Sequence, residues 1–278
     1  SFNPAGGPYN LMCGNGRLGV NLMQLMVAPY AAMKLAPAHS LGIAPVIAYQ
    51  RFSAEGLQAF DNPMLSTSAG NVTNRGNDDA FGYGARIGYQ GDFGNWSVGL
   101  AYATKVRMGE FDKYKGLFAD QGAFDIPSNW SAGVAFRPDP KWTIAVDYER
   151  IRYSDAGSVH NASSQILACF GGQSGACLGG SSGAGFGWQD VDVWKLGVQY
   201  APSATLTLRA GYNRSDNPIR PQDVTFNILA PGVIKDHYTA GATWRLDAKS
   251  EITAYGMYAA KNVELSRLQS SGEPKPQM

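Results

Sequence analysis

Charge is what this sequence has least of. Asp, Glu, Lys and Arg make up 16% of its 278 residues, against about a quarter in soluble domains. The formal net charge of +1 leaves no excess of cations to neutralise phosphates, which excludes nucleic acid as a partner. Long apolar runs are missing too. Gly, Asn, Lys or Arg interrupts every stretch well before the roughly 18 apolar residues of a membrane-spanning helix, so a helical membrane protein is excluded. The only histidines are His39, His160 and His237, and none has triad or metal-ligand spacing with nearby Ser, Cys, Asp or Glu. The sequence therefore reads as a non-enzyme with no metal and no cofactor. The glycines from Gly171 to Gly187 lack a following Gly-Lys-Ser and read as a flexible loop. Ser1 to Gly7 has neither the basic start nor the apolar centre of an export signal, so a mature or incomplete chain is expected.

Cys169 and Cys177 sit in a Gly/Ser-rich segment where a small disulfide loop is sterically easy. A bonded pair would suit an oxidising compartment, and two free thiols remain the alternative. Cys13 has no evident partner.

What is present is glycine, at 34 residues, aromatics, at 12%, and an alternation of period two. Trp96, Val98, Leu100 and Tyr102 fall on one face of an extended segment, with Ser97, Gly99 and Ala101 on the other and Lys105 and Arg107 continuing that second face. The same greasy-against-small pattern recurs from Phe81, Trp130, Trp194, Leu206 and Tyr238. Tight turn-forming links lie near Ala36–Ser40, Phe93–Asn95, Pro138–Lys141, Ala201–Ala204 and Asp247–Ser250. Long Gly/Asn/Ser-rich links, near Asp61–Ala80, Asp112–Ser128, Gly157–Gln189 and Ile219–Asp236, alternate with them. Outer-membrane barrels require that alternation, with tight turns on the periplasmic side and longer loops outside.

The fold class expected is therefore all-β, an antiparallel transmembrane β-barrel as one domain over 1–278, placed in the bacterial outer membrane. About ten strands start near Gly19, Leu41, Phe81, Trp96, Trp130, Trp142, Val191, Leu206, Tyr238 and Ile252. Aromatics such as Trp96, Trp130, Trp142, Trp194 and Trp244 supply the girdles at each lipid–water interface. Residues 269–278 form a polar tail or outer loop.

Several stretches in order, Gly19–Leu25, Lys105–Met108, Asp125-Ile126-Pro127, Gly185–Trp188, Ala210-Gly211-Tyr212 and Thr225–Pro231 followed by Val233–Tyr238, resemble the FadL-type family of outer-membrane transporters of hydrophobic compounds. The resemblance covers nearly the whole chain. It implies a barrel of about fourteen strands with an N-terminal hatch, of which this chain would lack the hatch, the first three strands and the last one. Asn3-Pro4-Ala5 matches letters of the family hatch, at a position that does not fit.

The function expected is passive uptake of long-chain fatty acids or hydrocarbons by a monomer in contact with outer-membrane lipid and lipopolysaccharide. The alternatives are a binding protein without transport, such as an adhesin or phage receptor, and, third, a lipid hydrolase. A fatty carboxylate would find inward cations in Arg86, Lys105, Arg107, Lys195, Arg209 and Arg245, with Lys105 and Arg107 preferred. The competing reading pairs those cations with Asp147, Glu149 and Asp192 along a wet wall. Met23, Leu25 and Val27 share one face of a first strand that is apolar on both, which suits an apolar lumen or burial against a plug. Leu117 and Phe118, with Tyr114 and Phe124, suit a short amphipathic helix, an outer groove for first capture, or simple loop packing. Pro29 and Pro45, in neighbouring strands, mark a bulge or a side opening.

Overall fold

A computed structural model describes residues 14–263; Cys13, Asn3-Pro4-Ala5 and the segment 269–278 lie outside the described residues. One antiparallel sheet contains β1 (Gly19–Val27), β2 (Ala31–Ala36), β3 (His39–Glu55), β4 (Asp78–Phe93), β5 (Trp96–Ala103), β6 (Arg107–Met108), β7 (Ser128–Phe136), β8 (Trp142–Arg152), β9 (Val191–Tyr200), β10 (Leu206–Ser215), β11 (Asp236–Arg245) and β12 (Glu251–Ala259). Neighbours follow chain order, β1-β3-β4-β5-β7-β8-β9-β10-β11-β12, with β2 also on β3 and β6 also on β4. The expected strands are thus all present, two of them interrupted. Among the described residues β1 and β2 pair only with β3, and β12 only with β11, so the sheet is an open barrel wall.

The register sorts side chains into two faces. Ile47, Tyr83, Ile87, Leu100, Trp130, Val146, Trp194, Leu208 and Trp244 lie on one, and all are exposed. A water-soluble protein does not leave so continuous an apolar surface bare, whereas hydrocarbon covers it without cost. Small residues such as Gly84, Gly88, Ala101 and Gly133 dominate the opposite face. Two-residue connections link β2 to β3 and β4 to β5, the second through Gly94 at φ 74°. The connections 56–77, 104–127, 153–190 and 216–235 are long, and every short helical turn lies in one of them. Among the described residues no helix is long and apolar enough to cross a membrane.

The long links fold back over the small-residue face. Phe52 of β3 meets Phe111, Tyr114 and Phe118 of the second link at 5.6, 4.9 and 4.8 Å between ring centres. Each such side chain contributes roughly 1.5–3 kcal/mol on burial, enough to make these links a packed interior. Tyr114 is fully buried; its hydroxyl accepts from the Ala54 N–H at 3.2 Å and donates to the Gly76 carbonyl at 2.6 Å. Tyr114 and Phe118 therefore belong to a core under β3, while Leu117 borders it.

Candidate functional site

All four long links contribute walls to one small apolar pocket, with a cavity volume of about 60 Å³. Leu57 and Phe60 come from the first link, Leu117 and Phe118 from the second, Leu178 and Phe186 from the third, and Phe226 and Leu229 from the fourth. Phe60 and Phe226 meet edge to face at 6.0 Å. The one polar lining side chain, Ser158, donates its hydroxyl to the Ala123 carbonyl. Lining side chains therefore offer a guest contact area and no free hydrogen-bond donor. Of the residues expected from sequence to make apolar contact, Leu117 and Phe118 are in this pocket.

The walls are held from behind by polar groups that sequence reasoning missed. Asp223, fully buried, accepts from the Ser163 N–H and hydroxyl at 2.9 and 2.6 Å and from Arg220 Nε at 2.8 Å. Asn227 donates to the Phe186 carbonyl at 2.7 Å and accepts from Trp188 Nε1 at 2.5 Å. Between them Gly187, at φ +68°, passes so close to the Asp223 carboxylate that a Cβ would collide with it. Tyr153 packs edge-on against Trp188 at 4.9 Å. Burial, and then the nearby Glu149 charge, push its phenol pKa up. Cys169 and Cys177 are bonded, which resolves the two readings of that pair. Next to the bridge, Leu178 exchanges backbone hydrogen bonds with Leu65 and Thr67, each 2.9 Å long.

The inward cations are scattered. Lys105 is held by Asp125 at 2.5 Å and the Asp155 carbonyl at 2.7 Å, and Lys195 by Glu149 at 2.8 Å. Arg209 donates to Gln199 at 3.0 Å and Thr243 at 2.6 Å, and Arg245 lies opposite Glu251 at the turn end. Arg86 faces Ala44 and Ala103 and has no ion-pair partner among the described residues. The preferred pair, Lys105 and Arg107, does not continue the inner face of β5. The strand ends at Ala103, where Thr104 bonds to Ala85, and Arg107 resumes in β6 opposite Tyr83, a residue of the bare face. Both cations border a cleft that also holds Glu110, Asp112, Asp120 and Asp125, an excess of negative charge that disfavours a carboxylate. Asp192 is no partner of inward cations either; it pairs with Arg150 at 3.0 Å on the bare face.

The first strand is turned the other way from the expected lumen assignment. Met23, Leu25 and Val27 lie opposite Arg51, Tyr49 and Ile47, all bare-face residues, while Leu22, Gln24 and Met26 face Phe52, Gln50 and Ala48 on the covered side. Apolarity on both faces hid this from the alternation. The ladder of this strand breaks at Ala28–Tyr30 with its register intact, since Val27 is opposite Ile47 and Ala31 opposite Ile43. Pro29 therefore stands opposite Pro45. This is a gap in the ladder and not a bulge; the register shift lies further on, between Lys34 and Ala36.

Several solved structures share this fold. The Ralstonia pickettii toluene transporter TbuX superposes with TM-score 0.59 at 13% identity over 89% of this chain and 65% of its own. The P. putida toluene transporter TodX gives 0.56 at 17% over 85% and 63%, and a Pseudomonas aeruginosa FadL homologue 0.59 at 15% over 86% and 60%. The chain thus spans somewhat less than two thirds of the length of each. No curated protein matches it in sequence. The family model described as outer membrane protein transport protein (OMPP1/FadL/TodX) matches residues 10–276, so the chain belongs to that family and its setting is the bacterial outer membrane.

Proposed function

We propose that the protein carries small neutral hydrophobic compounds, with monoaromatic hydrocarbons as the favoured class, passively across the outer membrane. The observation that carries this reading is the four-link pocket, whose one lining hydroxyl is already engaged within the chain. An aromatic hydrocarbon loses no hydrogen bond on entering such a site, whereas a carboxylate would be stripped of water with nothing in return. Two of the similar structures are described as toluene transporters, which agrees with this choice. Capture in the pocket is driven by burial of apolar area, and exit needs no energy source. The ladder gap at Pro29 and Pro45 provides a sideways route into lipid.

A long-chain fatty acid is the second reading. It is favoured by Arg86, a guanidinium on the inner face with no ion-pair partner among the described residues.

Uptake of toluene and of oleate by a transporter-deficient strain expressing the full-length protein tests both. Toluene uptake that falls several-fold in Phe226→Asp and is unaffected in Arg86→Gln supports the first reading. Oleate uptake that depends on Arg86, with toluene entering no faster than in the empty strain, replaces it with the second. Failure of both solutes to enter would overturn transport.

A further inference from the structure

The bare face of the wall carries a repeated side-chain arrangement at its long-link end. In β3 the sequence Tyr49-Gln50-Arg51 lies opposite Asp79-Ala80-Phe81 of β4, with Arg51 across from Asp79 and Tyr49 across from Phe81. Arg51 donates Nε and Nη2 to Asp79 at 2.7 and 3.1 Å, and the Tyr49 hydroxyl donates diagonally to the same carboxylate at 2.7 Å. β8 and β9 repeat it. Arg150 faces Asp192 at 3.0 Å, Tyr148 faces Trp194, and the Tyr148 hydroxyl donates to Asp192 at 2.7 Å. β10 and β11 repeat it again, with Arg214 to Asp236 at 3.5 Å, Tyr212 facing Tyr238, and the Tyr212 hydroxyl to Asp236 at 2.5 Å.

Position makes the three boxes one feature. Each Arg–Asp pair is the last or next-to-last pair of its ladder, beside the link 56–77, 153–190 or 216–235. They therefore mark a single level around the wall. The fourth long-link hairpin, β5 and β7, has the aromatic pair Tyr102 and Trp130 at that level and no ion pair among the described residues. At the short-turn end of the same face stand aromatic pairs, with no ion pair among the described residues. Trp96 stacks on Phe136 at 4.2 Å and Trp142 on Tyr200 at 4.3 Å. The two rims of the apolar band thus differ in chemistry, as the two leaflets of an outer membrane do.

We infer that Arg51, Arg150 and Arg214, each set in a Tyr–Arg–Asp box, form a belt that binds the phosphorylated glycolipid headgroups of the outer leaflet. A guanidinium has five N–H donors, and the carboxylates take at most two of them in any box. The three arginine side chains remain 45, 39 and 62% exposed, so donors point out of the wall where headgroup phosphates lie. The tyrosine ring gives each box an apolar base, and its hydroxyl aims the carboxylate that in turn aims the guanidinium. Guanidinium and carboxylate side by side, with Asp190 a second carboxylate on Arg150 at 3.5 Å, also suit a layer in which phosphates alternate with divalent cations, where a row of bare cations would be repelled by half its neighbours.

This inference rests on the outer-membrane setting and not on the cargo. The test uses full-length protein in phospholipid vesicles, with and without added lipopolysaccharide or its dephosphorylated form, reading thermal unfolding and toluene entry together. The expected result is that lipopolysaccharide raises the unfolding midpoint, that the dephosphorylated form does so much less, and that the triple variant Arg51→Gln, Arg150→Gln, Arg214→Gln loses the increment while unfolding normally in phospholipid alone. Toluene entry in phospholipid alone stays unchanged in that variant. If the triple variant does not assemble, Arg214→Gln alone, which removes the most exposed of the three, loses part of the increment. An increment of the same size in the variant, or in response to dephosphorylated glycolipid, would overturn the belt and leave the transport reading standing.

Discussion

Pro29 and Pro45 face one another across the first ladder of the wall, and neither has an N–H to donate. A rung without donors is the weakest point of a ladder, since both flanking rungs keep their register. It is also the one place where β1 and β2 separate. If solute leaves sideways here, restoring donors closes the route. The double variant Pro29→Val, Pro45→Val is expected to assemble normally, to gain amide-exchange protection at Val27 and Ala31, and to pass toluene several-fold more slowly in vesicles. Unchanged flux together with gained protection would show that solute leaves by another path.

Asp223 holds the third and fourth links together, and its loss would strand Arg220 and two donors of Ser163. Removing one partner of a buried ion pair costs about 3–5 kcal/mol; the Arg220 side chain keeps 25% exposure, so water recovers part of that, and about 2–3 kcal/mol is expected for Asp223→Ala. The cost falls on the links and not on the sheet. Protease cleavage within 153–190 should accelerate while the barrel sheet keeps its circular dichroism and its unfolding midpoint. Gly187→Ala is expected to do the same, because its new methyl meets the Asp223 carboxylate in a positive-φ backbone. Cleavage at the wild-type rate in both variants would remove Asp223 from this role.

The wall was legible in the sequence because its signals are local. Alternation and turn residues placed the starts of β1, β5, β8, β9 and β10 at the observed residues, and those of β3, β4, β7, β11 and β12 within a few positions. Where locality fails, so does the reading. The face of β1 could not be read because Met23 and Leu22 are equally apolar, and only its pairing with β3 decides between them. Lys105 and Arg107 looked like a continuing face until Thr104 broke the strand by bonding to Ala85. Asp223 reaches Ser163 across 60 residues, and nothing in either segment announces the other. The three Tyr-x-Arg strands were visible as letters, but their Asp partners acquire meaning only from cross-strand register.

The Cys169–Cys177 bridge closes a loop with a sequence separation of 8, worth about 2–3 kcal/mol by loop-closure entropy. It lies immediately before Leu178, a wall of the pocket tied to Leu65 and Thr67. Reduction, or the double change to Ser, should therefore loosen the pocket without unfolding the sheet. The expected observations are faster proteolysis of the third link and weaker protection of a pocket-bound fluorescent hydrocarbon from quenching, with the main unfolding transition unmoved. A downward shift of that main transition would place the bridge in the folding of the whole wall instead.

Tyr153 supplies a pH test of how the third link packs. Its phenol is pushed above the ordinary value of 10.0 by burial and by the charge of Glu149, so the folded chain holds this proton to higher pH than the unfolded one. Stability from that neutral phenol is complete below the ordinary tyrosine value and is lost as pH rises through the higher folded value. Tyrosinate absorbance in detergent should show a lagging component, and Tyr153→Phe should diminish it by one tyrosine. The same substitution should abolish the alkaline onset of link proteolysis that follows when the charged phenolate is forced against Trp188. A titration with no lagging component, or one undiminished in Tyr153→Phe, would mean that this ring is open to water.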